Sequence, residues 1–416
     1  MLQYVIAGLV FGSLYAITAS GLVVTHLSTG VLNFSFGATA YLIARLFYWL
    51  DTTKQLQTAP ALAISVLVAA PLIGLVLYVV LFRHLRMAST LVKIVATIGV
   101  AVTLPPIADL LFGDEPILVA PGVAPRPLST FKLAGVTVTM DQVVVYGCVV
   151  ALLVGGTLLL RFTDVGLRVR AMVDSPAMTS ISGTSPDRVA AGVWAASTFL
   201  AGLIGVVSAP ILGLDPGIYT LLMVAAFAAV IAARLRSLPI AVAVGLAMGV
   251  AGSVVQYFLP PSSSLTQAII PSVPFVVTTV FLLVNLALGR KDDLDALGGP
   301  LDRAIVPHRG TGPGGGSDVP VRWRWSVLAF AAIAVLPLLL SDFWVSQVAA
   351  GIAFGIIFLS FTLVIGEGGM VWLCQVTFAG VGALLTAQLA TNQGWPLWLA
   401  IPAAALDKRP RAGRNG

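Results

Sequence analysis

The chain of 416 residues is 58% hydrophobic and only 10% charged, with a formal net charge of +6 and a mean hydropathy of +1.00. Roughly a quarter of the residues of a soluble domain are charged, so this usage excludes an ordinary soluble protein and indicates one embedded in a membrane. The positive balance does not point to nucleic acid, because the basic residues sit in short segments between apolar runs, where they set orientation in lipid.

A span needs about 20 apolar residues, and candidates occur at 4–25, 30–50, 60–82, 91–112, 143–160, 189–213, 218–233, 238–258 and 267–289. The first run starts almost at Met1 with no basic segment before it, so it is expected to be retained rather than cleaved. Residues 290–324 then break the pattern with Arg290, Lys291, Asp292, Asp293 and Asp295, followed by Gly314-Gly315-Gly316-Ser317, which reads as a flexible polar linker. Apolar runs resume at 325–341, 345–365, 370–391 and 395–406. The expected organisation is a first unit of about nine spans over 1–289, a linker over 290–324, a second unit of about four spans over 325–405, and a basic tail over 406–416. Because the second unit has fewer runs than the first, it is expected to be cut short.

The two units share a sequence pattern. Residues 6–46 recur without a gap 343 positions later: Ala7, Gly8, Phe11, Gly12, Gly37 and Ala40 fall on Ala350, Gly351, Phe354, Gly355, Gly380 and Ala383. Matched glycine spacing matters because small residues decide where helices approach closely in lipid. Internal repetition of this kind is a transporter architecture.

Basic residues fix an expected orientation. One set of alternating loops holds Arg83, Arg86, Lys93, Arg161, Arg168, Arg170, Arg188, Arg234, Arg236 and the linker cations, whereas the other holds Lys54, Arg126 and Lys132. The basic set is expected in the cytoplasm, which puts the N-terminus outside and the linker inside after nine crossings. An additional outward helix at Trp325–Leu340 then lets residues 345–365 run parallel to residues 2–22. The fold class expected is therefore an all-α polytopic membrane protein built as a parallel repeat of a multi-helix unit.

Ionisable groups at membrane depth are functional candidates, and here they are few. Arg45 lies beside Trp49 near an outer end and is expected to snorkel; Asp109 lies close to the outer loop and Lys93 close to the inner one. Cys148 and Cys374 stand singly in apolar runs, which supports neither a disulfide framework nor a metal site. No phosphate-binding loop or HExxH motif occurs, so catalysis is not expected.

Neutral polar residues concentrate between Thr25 and Gly37, including Ser28, Thr29, Asn33 and Ser35. They fit either an interrupted helix whose free backbone groups line a cavity or a hairpin with a hydroxyl-rich cytoplasmic turn. Further on, the loop from Arg161 to Arg188 contains Pro176 and Gly183 at a spacing that suits a short helix. It is either a docking helix beneath the membrane or a solvated loop.

The stretches Gly8-Leu9-Val10-Phe11-Gly12-Ser13-Leu14-Tyr15-Ala16 and Ser28-Thr29-Gly30-Val31-Leu32-Asn33-Phe34-Ser35-Phe36-Gly37-Ala38, with Ala96-Thr97-Ile98-Gly99-Val100 and the Arg168–Gly183 loop, resemble a permease subunit of the branched-chain amino acid importers of the ABC class. Gly351 to Gly355 and Gln375-Val376-Thr377-Phe378-Ala379-Gly380 resemble the start of the companion subunit. The resemblance implies a fusion of two permease subunits in the plasma (inner) membrane, fed by an external solute-binding protein and driven by two separate ATPase subunits, with a further permease chain as a possible partner. No cofactor is implied for the chain itself, since ATP belongs to the partner subunits. A substrate pathway is implied at Ser28, Thr29, Asn33, Ser35 and Gly37 and, in the second unit, at Gln375, Thr377 and Gly380. ATPase coupling is implied at Arg170, Asp174, Ala177 and Gly183, although the family's acidic-Ala-Ala triplet is here Ala177-Met178-Thr179 and its glycine-rich turn is Arg234-Leu235-Arg236-Ser237. A stand-alone secondary carrier or a non-transporting scaffold is the alternative class.

Overall fold

A computed structural model describes residues 1–29, 32–85, 88, 90–115, 117–125, 130–133, 136–174, 176–181, 183, 185–233, 237–259, 263–287, 327, 331, 335, 341–361 and 375–406. Outside them lie the linker 290–324, nearly all of the run 325–341, Cys374, the turn Arg234-Leu235-Arg236 and the tail beyond Leu406. The chain divides into two compact units, Met1–Gly299 and Pro300–Gly416.

The first unit is a helical bundle. Helix α1 is Leu2–Thr29 and α2 is Phe36–Tyr48, prolonged by a wide π-type turn over Trp49–Thr53. A single rod over residues 58–82 follows, in which α3 (Thr58–Leu62) and α4 (Ala70–Leu77) alternate with π-type turns. Next come α5 (Thr90–Phe112), a hairpin of β1 (Thr130–Leu133) and β2 (Val136–Thr139) with Thr130 opposite Thr139, and α6 (Met140–Phe162). The bundle is completed by α7 (Asp164–Asp174), α8 (Pro176–Ile181), α9 (Pro186–Leu212), α10 (Pro216–Ala232), α11 (Leu238–Phe258) and α12 (Ser264–Ala287).

Glycine decides how the core closes. Helix α1 runs against α11, and a Cβ on Gly12 would stand 2.7 Å from the Leu246 Cα, while one on Gly245 would stand 2.8 Å from the Ala16 nitrogen. No side chain fits at such distances, so the two backbones touch directly, as small residues permit in membrane bundles. Helix α9 packs on α1, α2 and α4, and its Trp194 stacks on Phe82 with ring centroids 3.9 Å apart. By contrast, α5 and α6 turn Val102, Leu110, Leu111, Val150 and Val154 outward. An exposed apolar face of that size suits contact with lipid rather than water.

The second unit has α13 (Asp342–Phe361), α14 (Gln375–Gln393) and α15 (Leu397–Leu406). Its α14 and α15 pack together. Among the described residues, Gly351, Gly355 and Gly380 have no atom within 4 Å of the position a Cβ would take, unlike their sequence counterparts Gly8, Gly12 and Gly37.

Seven helices among the described residues are long and apolar enough to cross a membrane, six in the first unit and Phe343–Ser360 in the second. Shorter apolar helices lie at Pro216–Ala232 and Ile269–Phe281. The protein is a polytopic, all-α membrane protein with one small surface hairpin.

Candidate functional site

The expected span at 30–50 begins late, at Phe36, and the side chains before it explain why. Asn33 Oδ1 accepts from the Ser35 amide at 3.0 Å and the Ser35 hydroxyl at 2.6 Å. Asparagine and serine that bond locally offer the backbone an alternative to helix, and residues 32–35 take it. The Ser35 carbonyl then accepts from both the amide and the hydroxyl of Thr39, each at 2.9 Å, starting α2. The Leu32 carbonyl accepts from Thr97 of α5 at 3.4 Å.

This interruption lies within the protein: Asn33, Ser35, Thr39 and Thr97 are all buried. Irregular backbone at this depth is tolerated when it is enclosed by protein. Asn33 Nδ2 has no hydrogen-bond partner among the described residues, and rotating the amide would not help, because it would turn a donor towards the Ser35 amide. The turn therefore presents a buried N–H pair that no described residue accepts from, which costs about 1–3 kcal/mol unless something accepts.

More polar groups line up along α2. Gly37 meets the Tyr219 carbonyl of α10, with only 2.5 Å between that oxygen and an added Cβ. The Tyr219 hydroxyl donates to the Gly205 carbonyl at 2.9 Å and its ring lies 5.9 Å from that of Tyr41. Thr25 of α1 and Ser197 of α9 join at 2.5 Å. At the far end, Tyr41 donates to Asp109 at 2.6 Å, and Arg45 lies 3.9 Å from the same carboxylate.

Arg45 does not snorkel. Only 2% of its side chain is exposed, because it donates to the Glu115 carbonyl at 3.0 Å and to the Gly113 carbonyl. Tyr41, Ser197 and Tyr219 carry no signal in the sequence, whereas Arg45 and Asp109 stand out there as single charges in two apolar runs, though not as a pair.

At the other end of the bundle, the loop 161–188 is folded into α7 and α8. Val169, Met172 and Thr179 are buried and anchor them, whereas Ser180 and Ile181 are exposed. Gly183 closes the segment at a φ of +86°, a conformation glycine adopts without penalty. Arg170 and Gly183 line one cavity of about 940 Å³ together with Arg161, Arg168 and Arg188.

The structure thus brings Asn33, Ser35 and Gly37 together at one turn, and Arg170 with Gly183 at one cavity. Ser28 and Thr29 lie in the last turn of α1, Asp174 ends α7 and Ala177 lies in α8, but their side chains are outside the described set. Gln375, Thr377 and Gly380 occupy the first turns of α14 in the second unit, with Thr377 and Gly380 exposed.

Residues 4–283 match the family described as the permease component of branched-chain amino acid transport systems. Over 260 residues the chain is 27% identical to the probable branched-chain amino acid transport permease protein LivH of Methanocaldococcus jannaschii, covering 60% of this chain and 80% of that one. It is 26% identical over 266 residues to the high-affinity permease protein BraD of Pseudomonas aeruginosa, covering 60% and 84%. To LivH of Escherichia coli K12 it is 24% identical over 273 residues, covering 62% and 87%. No solved structure matches significantly. The match takes in the first unit from α1 into α12, which includes the Asn33 turn and the α7–α8 segment. This is a family of transport permeases rather than enzymes, and the chain belongs to it, as a transmembrane permease of the branched-chain amino acid transport type.

Proposed function

We propose that the chain is the membrane permease of an ATP-driven importer in the plasma (inner) membrane, moving branched-chain amino acids or related small polar solutes inward. Two separate ATPase subunits supply the energy and an external solute-binding protein delivers the solute. The chain itself holds no cofactor, and ATP is bound by the ATPases. The family match over residues 4–283 carries this proposal.

The local chemistry supports it. A zwitterionic amino acid must exchange its hydration for fixed donors and acceptors on entering a low-dielectric passage. Asn33 supplies a buried N–H pair lacking an acceptor among the described residues, in a turn with Ser28, Thr29, Ser35 and Gly37 around it in sequence. Gln375, Thr377 and Gly380 begin the corresponding passage of the second unit, which the 343-residue recurrence relates to the first. The α7–α8 segment, with Arg170, Asp174, Ala177 and Gly183, faces the ATPase. The N-terminus then lies outside and the linker in the cytoplasm.

One observation favours a second class of function. The buried Arg45 beside Asp109 is a charge pair of the kind that couples carriers to ions. Reconstitution separates the two. Uptake of labelled leucine into proteoliposomes should require ATP, the ATPases and the binding protein, and uptake driven by a proton gradient without ATPases would establish the carrier instead.

A further inference from the structure

The cavity between α6, α7, α9 and α11 concentrates charge in an unusual way. Arg161, Arg168, Arg170 and Arg188 all line its volume of about 940 Å³, and among the described residues no carboxylate does. None of the four forms an ion pair among the described residues. Among the described residues, Arg170 uses its guanidinium on carbonyls alone, those of Gly166 at 3.4 Å and Arg161 at 3.5 Å. Four like charges facing one space repel each other, and an anion there would relieve that repulsion. Guanidinium groups suit phosphate best, since each can offer two parallel N–H donors. The same wall carries Thr157, whose buried hydroxyl has no hydrogen-bond partner among the described residues.

The floor of the cavity is apolar, formed by residues such as Val24, Leu160 and Val193. The helix that lends Thr157, Leu160 and Arg161 to the cavity also carries Val150, Val154, Leu158 and Phe162, four residues apart and all exposed. Residues at that spacing share one helix face. A free inorganic anion would use the arginines and ignore that line. A phospholipid would use both, since its headgroup is anionic and its acyl chains need an apolar track. Basic pockets between membrane helices on the cytoplasmic side are suited to anionic headgroups.

We propose that this cavity binds the phosphate headgroup of an anionic phospholipid, with the acyl chains lying along the Val150–Phe162 face of α6. Placing the lipid in the inner leaflet rests on the orientation proposed above; binding itself requires neither that orientation nor an ATPase. The bound headgroup would neutralise the arginine cluster beside α7 and so set the charge that the α7–α8 segment presents to a partner.

Native mass spectrometry of the full-length purified chain tests this, with phosphatidylglycerol and phosphatidylcholine as probes and inorganic phosphate as competitor. The wild-type chain should retain phosphatidylglycerol in preference to phosphatidylcholine, and an excess of inorganic phosphate should leave it bound. Combining Arg161→Gln, Arg168→Gln and Arg188→Gln should cut retention by at least about tenfold, given the strength of charge-assisted bonds, whereas lysine at the same positions should preserve most of it. Equal retention of the two lipids, displacement by inorganic phosphate, or undiminished retention by the glutamine variant would each overturn the proposal. If the triple variant does not fold, the wild-type comparison of the two lipids decides.

Discussion

The Tyr41 hydroxyl of α2 donates to the Asp109 carboxylate of α5 at 2.6 Å, and Arg45, one turn further along α2, lies 3.9 Å from the same carboxylate. A single acid therefore faces both a phenol and a buried guanidinium, and removing it strands the cation. The carboxylate is 31% exposed, so solvent screening reduces its worth below that of a fully buried pair. Asp109→Ala should cost about 1–3 kcal/mol in detergent unfolding, because the Arg45 charge loses its partner. Arg45→Met combined with Asp109→Leu should cost less than the two single changes summed. A strictly additive double variant would show that the pair is not coupled.

A second expectation compares residues that the recurrence aligns. Gly12→Ala places a methyl 2.7 Å from the Leu246 Cα, so α1 and α11 must separate. Overpacking of this kind costs about 1–3 kcal/mol. Gly355→Ala, at the aligned position in α13, meets nothing within 4 Å among the described residues and should be neutral or stabilise by up to about 1 kcal/mol through helix propensity. Thermal unfolding and folded yield of the two variants report the contrast. Equal destabilisation by both would mean that α13 has a close neighbour after all.

Apolar run length made the membrane helices legible, because a bilayer demands a nearly continuous stretch and little else in a sequence imitates one. Pro176 and Gly183 suit a short helix without deciding between it and a solvated loop, and the structure has α8 there. Features set by neighbours far along the chain were hidden. The start of α2 shifted to Phe36 because Asn33 and Ser35 bond each other instead of continuing a helix, a competition that apolar counting ignores. Helix α7 looks like loop in the sequence because its charged composition lacks the apolar run, yet Val169 and Met172 hold it against the bundle. The alternation in Val136-Thr137-Val138-Thr139 is a strand signal of only four residues, short enough to be lost between long apolar runs. The Arg45–Asp109 and Thr25–Ser197 contacts join residues 64 and 172 apart in sequence, and only the packed bundle reveals them.

The Asn33 amide has two separable roles. Its oxygen organises the turn through Ser35, whereas its nitrogen lacks an acceptor among the described residues. Asn33→Asp keeps the acceptor and removes the donor; Asn33→Ala removes both. If the donor serves the solute, Asn33→Asp should lower leucine uptake per folded, reconstituted molecule by about tenfold or more, the loss expected for one hydrogen bond to a charged group, while its buried carboxyl lowers folded yield. The alanine variant should lose stability as well. Normal uptake by a folded Asn33→Asp permease would remove the nitrogen from the pathway.

The last expectation concerns the face that α8 offers to an ATPase. Thr179 points into the bundle, whereas Ser180 and Ile181 are exposed, Ile181 to 82%. A large apolar side chain at the tip of a surface helix is a natural anchor for a partner's groove, and exposed substitutions there should disturb the fold by no more than about 0.5 kcal/mol. In a background with Cys148 and Cys374 replaced by alanine, Ser180→Cys should crosslink to a co-expressed ATPase, and Thr179→Cys should not. Ile181→Asp should leave folded yield unchanged while cutting ATP-dependent uptake by about tenfold or more, since burying an unpaired carboxylate in an apolar contact is costly. Gly183→Ala should impair coupling more than folding, because its φ of +86° aims the segment that follows α8, and alanine there costs on the order of 1 kcal/mol. Crosslinks arising only from the 233–237 turn, with Ser180→Cys silent and Ile181→Asp fully active, would transfer the ATPase contact from α8 to the connection between α10 and α11.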